Sequence, residues 1–152
     1  GSIRSGVAIS NTTSTSTTAN FELTRLDGTS LGLTASAFIP GSGHIAKFVD
    51  ELFPTLTLPF QGVLRMTSGS TPIAAVGVRL RTNERGEFLI TTTSPTDEGA
   101  STTTDPLLFP HVVDGAGWTT QFILFSGVAG QSSAGTLELF SVGGAPLDLN
   151  LQ

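Results

Sequence analysis

Residues 7–34, VAISNTTSTSTTANFELTRLDGTSLGLT, are echoed without a gap 116 positions later by ILFSGVAGQSSAGTLELFSVGGAPLDLN at 123–150. Val7 falls on Ile123, Ile9 on Phe125, Phe21 on Leu137, Glu22 on Glu138 and Leu23 on Leu139. Gly28 falls on Gly144, Leu31 on Leu147 and Leu33 on Leu149. Few residues are identical, yet the apolar positions agree in phase and spacing around a shared turn glycine. Self-similarity at a fixed distance marks a chain built from like pieces. Each piece reads as strand, hydroxyl-rich loop, strand, tight turn, strand. Residues 117–152 thus repeat the pattern of 5–36. They either close the same sandwich or begin a next module that pairs with another chain.

The rest of the chain keeps the two-residue period of strands, with one exception. Val7 and Ile9 share a face, NTTSTSTT (11–18) is wholly polar, and Phe21 and Leu23 resume the alternation. Asp27-Gly28 is a hairpin dipeptide, after which Leu31, Leu33, Ala35 and Ala37 alternate as far as Ile39-Pro40. In GSGHIAKFVDELFP (41–54) the period changes: Ile45, Phe48, Val49, Leu52 and Phe53 form one helical stripe. This predicts a short amphipathic helix at about 43–53, with Ser42 as its N-cap, Pro54 as its stop, and Lys47, Asp50 and Glu51 in solvent. Strands return at 63–67 and 73–82, where Val76, Val78 and Leu80 face one way and Arg79 and Arg81 the other. Residues 83–86 have turn chemistry, and 87–93 form a hairpin partner. The stretch 94–106 is an aperiodic loop. Many short strands and one helix predict an all-β, antiparallel β-sandwich of Ig-like kind, with 1–152 as a single domain.

Composition narrows what such a fold is for. Only 12 % of residues are charged, about half the usual share, so Thr, Ser, Gly and Asn must supply the polar surface. A net charge of −5 argues against nucleic acid, which is bound through a basic patch. No apolar run approaches the roughly 20 residues that cross a bilayer, so no membrane insertion is expected. With no cysteine the core must hold the fold without disulfides, and thiolate metal sites are excluded. The chain opens GSIRSG and passes directly into a strand pattern, as either a processed mature chain or a cloned product with a Gly-Ser tag remnant would.

Motifs for chemistry are absent. His44 and His111 are isolated in sequence and lack metal spacing, and no G-x-S-x-G elbow is present. Asp97, Glu98 and Asp105 in the long loop, with Asp27 and Asp114 in turns, make no D-x-D-x-D calcium pattern and read as solvated carboxylates. Lys47, the only lysine, would be the only donor for a Lys–Asn cross-link, and its place on the polar side of the predicted helix argues against one. No catalytic residue, cofactor or metal is therefore expected. Two features point to recognition instead. Trp118, the sole tryptophan, either plugs the core at a strand entrance or stands as a stacking platform for a sugar ring. Phe122 and Leu124 make the predicted strand 121–125 apolar on both faces, so that it is either covered on both sides or part of an interface. Asn11-Thr12-Thr13 matches the N-glycan acceptor pattern.

Taken together, IPGSGHIAKFVDELFP (39–54), PFQGVLRMTSGSTPIAAVGVRLR (59–81), NERGEFLITTT (83–93) and FPHVVDGAGWTTQFILFSG (109–127) resemble tandem β-sandwich, Ig-like repeats of large secreted proteins of soil bacteria. The resemblance spans nearly the whole chain and implies a fold and an extracellular setting, without functional residues to carry over. The expectation is a non-catalytic structural or adhesive module of a surface fibre, stalk or filament, self-associating by strand pairing. The alternative is a carbohydrate-binding module that holds polysaccharide.

Overall fold

The computed structural model describes residues 3–100, 105–124 and 134–147. The chain divides into two compact units, residues 1–97 and 98–152. The first holds seven strands and one helical turn: β1 (Ile3–Asn11), β2 (Thr17–Thr24), β3 (Ser30–Ile39), β4 (His44–Phe48), α1 (Val49–Leu52), β5 (Val63–Thr67), β6 (Ile73–Thr82) and β7 (Phe88–Thr93). One antiparallel sheet runs β4-β1-β6-β7 and the other β3-β2-β5, the all-β sandwich-like architecture read from the sequence.

The core lies between the sheets and follows from the two-residue period. Val7 and Ile9 of β1 meet Ala19, Phe21 and Leu23 of β2, Ile39 of β3, and Phe53 after α1. Leu31, Leu33, Ala35 and Ala37 of β3 and Leu64 and Met66 of β5 pack around them. In β6 the alternation is present, but its large residues lie outside. Ile9 is opposite Ala75 and Val7 opposite Gly77, so the core side of β6 is Ile73, Ala75 and Gly77, continued by Arg79 and Arg81. Val76, Val78 and Leu80 lie on the outer face of the sheet, half-buried, beside Ile90 and Phe88 of β7.

The helix predicted over 43–53 is present as a single turn, Val49–Leu52, and His44–Phe48 is instead an edge strand on β1. Ile45 and Phe48, three apart, share a face only in a helix, but pairing along β1 decides for the strand, with Ile45 opposite the core residue Ile9 and Phe48 on the other face opposite Gly6. Pro54 disfavours helical geometry at Phe53 and leaves only one turn. Ser42 is not the cap. It sits at φ 54° in the turn closed by Gly43 N–H donating to Pro40 O at 3.0 Å. The Glu51 carboxylate caps the turn, accepting from Phe48 N–H at 2.7 Å. Val49, Leu52 and Phe53 turn toward the core as the stripe predicted. The Arg4 guanidinium lies 3.7 Å from the Phe48 ring centroid and pairs with Asp50 at 2.7 Å, fastening the turn to the sheet.

Asn11, first residue of the glycan-type triplet, is 1 % exposed. It donates to Thr15 O at 2.7 Å and Pro40 O at 3.1 Å, and its own oxygen accepts from Thr13 N–H and Thr13 Oγ1. It therefore ties the polar loop 12–16 to the β3–β4 turn and has no room for a sugar in the folded chain. Other hydroxyls of these loops bind carbonyls: Thr12 on Pro72, Thr17 on Ser68 and Ser68 on Thr71.

Among the described residues one turn occurs three times. Arg25 N–H donates to Thr29 O at 2.9 Å and Gly28 N–H to Arg25 O at 3.0 Å, with Gly28 at φ 82°. Asn83, Glu87 and Gly86 repeat both bonds, with Gly86 at φ 79°. Ser141, Ala145 and Gly144 repeat them again, with Gly144 at φ 83°. The three glycines stand 58 positions apart, and positive φ is the reason each is glycine. The step found by sequence comparison is thus two of these steps. Between the first and third copies lies another strand–loop–strand–turn–strand copy, β5–β6–β7, following β1–β2–β3. The two pair reciprocally, β1 on β6 and β5 on β2. Val7 is opposite Gly77 whereas Phe21 is opposite Met66, so this internal twofold relation is topological and the two registers differ.

The first of these turns carries a pH signature. Thr29 N–H donates to Asp27 Oδ1 at 2.9 Å and holds that carboxyl below its ordinary value of 3.8, helped by the Thr29 hydroxyl and Arg25. A folded-state value below the unfolded one adds stability that is complete above pH 3.8 and fades as pH falls through the lower value. Carbon-detected NMR titration should place Asp27 below 3.8. A titration at or above that value would mean that the bond does not persist in solution.

Candidate functional site

Among the described residues no three His, Asp or Glu side chains gather closely enough to hold a metal ion. His44 is exposed on β4 opposite Ser10, and His111 belongs to the second unit. Lys47 is exposed on β4 opposite Val7. No described helix is long and apolar enough to cross a membrane.

The candidate site is the stretch 105–124 of the second unit, built around a reverse turn. Gly115 and Trp118 exchange backbone hydrogen bonds at 3.0 and 2.9 Å, with Ala116 at φ 51° and Gly117 at φ 86° between them. Positive φ at both central residues defines the mirror-image turn that suits a two-residue hairpin. The Thr120 hydroxyl closes the next rung, accepting from Val113 N–H at 3.0 Å and donating to Val113 O at 2.9 Å. Further down, the Phe109 and Phe122 rings meet edge to face with centroids 5.0 Å apart.

This hairpin holds its large side chains outward. Trp118 is 69 % exposed, so of the two sequence readings the core plug is not what the fold adopts. Its neighbours Gly115 and Gly117 have no side chains to cover the indole. Tryptophan emission should therefore sit at the water-exposed end of its range and be quenched freely by acrylamide. A blue-shifted, protected emission would contradict this placement.

Phe122 is half-buried against Phe109, while Ile123 and Leu124 are 51 % and 71 % exposed. Residues 121–124 belong to no ladder, so of the two readings of strand 121–125 the described part does not show double-sided cover. Phe125 lies outside the described residues. Leu107, Leu108, Leu137 and Phe140 are also exposed. What sequence reasoning missed was the 58-residue step itself. In the middle copy Arg79 and Arg81 stand where the first has Phe21 and Leu23, so its apolar phase does not match, but the glycine spacing was visible.

Fold and site together define an all-β sandwich-like unit followed by a hairpin that presents apolar side chains. The chain matches no protein-family model, no curated protein and no solved structure.

Proposed function

We propose that this chain is a non-catalytic extracellular structural module, a repeat or subunit of a surface fibre, stalk or adhesin. The observation that carries the reading is the recurrence of one turn at 58-residue steps, with two of the flanking copies closed around one core. Copies that cover one another extend a protein in increments and need no new chemistry at each step. The hydroxyl-rich, charge-poor composition supports the same reading, as does the resemblance to tandem repeats of secreted soil-bacterial proteins. Antibodies raised against the chain should label intact, unpermeabilised cells of its source, with immunogold on fibres or stalks. Label that appears only after permeabilisation would overturn the extracellular assignment.

A second reading has one observation in its favour. Trp118 stands exposed at a hydrogen-bonded turn, where an indole face suits stacking on a pyranose ring. Affinity electrophoresis through gels cast with soluble cellulose derivatives, xylan or β-glucans tests it. Retardation by one polysaccharide that Trp118→Ala abolishes would establish a carbohydrate-binding module, and unretarded migration in every gel would remove that reading.

A further inference from the structure

We infer that two molecules of this chain associate through their third copies, Trp118–Leu124 with Ala134–Leu147, each covering the other as the first two copies do within residues 1–97. The inference deepens the structural-module reading. It is tested by association state and not by cellular location, so either can fail alone.

The argument starts from how a copy is satisfied. In the first unit one copy places β1 in one sheet and β2 in the other, and neither is the other's neighbour. The next copy supplies the missing neighbours, β6 beside β1 and β5 beside β2. A copy alone is therefore half a sandwich, with open strand edges and an uncovered apolar face.

The third copy carries the same face. Its turn matches the first bond for bond, and its apolar residues fall on the same positions. Val7 and Phe21 are 5 % and 2 % exposed, whereas their counterparts Ile123 and Leu137 are 51 % and 50 % exposed. Residues 121–124 and 134–139 lie in no ladder, and the backbone bonds of 139–147 close only the turn and its first rung. Core-type residues left this open mark an interaction surface, and unpaired strand edges recruit strands.

What fits that surface is set by what fits the first copy, namely another copy of the same kind. When the two partners are third copies of identical chains, the internal twofold relation becomes a true twofold axis. The contact is then isologous and closes at two chains. This differs from the filament expected from sequence, because a twofold contact between third copies uses the same surface on both chains and offers no further third copy to another chain.

Sedimentation velocity of the full chain, from micromolar to near-millimolar concentration, should show a reversible monomer–dimer equilibrium and nothing larger. Leu137→Asp should weaken the dimer by at least about tenfold, the scale of a buried interface anchor replaced by a charge. Ile90→Asp, on the equally exposed β7, should leave it intact. Unfolding curves of both variants check that residues 1–97 remain folded. A monomer at every concentration would overturn the inference, as would species that grow without limit. So would a dimer weakened by Ile90→Asp and not by Leu137→Asp. The chain has no cysteine, which permits a second measurement. By the β1–β6 register, Ile123 of one molecule comes opposite Gly135 of the other. Ile123→Cys combined with Gly135→Cys should yield a chain-to-chain disulfide on non-reducing gels, and a bridge formed only within one chain would count against the dimer.

Discussion

Replacing Phe21 with alanine is expected to destabilise the sandwich by about 3–5 kcal/mol, the range found when a fully buried phenylalanine is truncated. Phe21 is 2 % exposed and sits on the central strand of its sheet, between β3 and β5, facing β1 across the core. Its neighbours belong to both sheets, so the vacated volume cannot be refilled by moving one strand. Urea unfolding followed by far-ultraviolet circular dichroism gives the loss. A change below about 1 kcal/mol would mean that the site collapses or that Phe21 is not the centre of packing. The matching change in the third copy, Leu137→Ala, removes a half-exposed side chain and should leave the same transition nearly unmoved.

Asn11→Ala should be nearly as damaging, at about 3 kcal/mol, because deleting one partner strands the buried groups that relied on it. The Asn11 amide uses its full capacity of two donated and two accepted bonds. Without it, the Thr13 N–H loses its acceptor, and the Thr15 and Pro40 carbonyls each lose one of two donors, at a place where two loops meet. Asn11→Asp keeps the acceptors for Thr13 but points a carboxylate at two carbonyl oxygens, and should be no better tolerated. Equilibrium unfolding of both variants, set beside Thr12→Ala, separates this network from a general effect of loop polarity. A variant as stable as the parent would show that water replaces the amide without cost.

Strand positions were legible because strands bury alternate residues, and Val7, Ile9, Phe21, Leu23 and the β3 series advertise that period. The Asp27-Gly28 turn was legible because its positive φ falls on Gly28, the residue type that takes that backbone most readily. The extent of the helix was not, since Ile45 and Phe48 continue the helical stripe of Val49, Leu52 and Phe53 and only pairing with the neighbouring β1 edge overrides it. The orientation of β6 was hidden for a related reason. Its large residues alternate correctly, yet Phe21 and Leu23 across the core leave Ala75 and Gly77 as the inner side. Which face of a strand turns inward is decided by the volume already present opposite it. The exposure of Trp118 depends on a turn whose hand is set at Ala116 and Gly117, and a tryptophan in sequence looks the same whether buried or presented.

The recurring turn gives the chain a parity. Copies that satisfy one another two at a time leave nothing over when their number is even and one over when it is odd. Among the described residues three turns stand at equal steps, two already spoken for and one remaining. Under that rule, gain or loss of a single 58-residue step would toggle a protein between a self-contained state and one with an outstanding valence. Gain or loss of two steps would change only its reach.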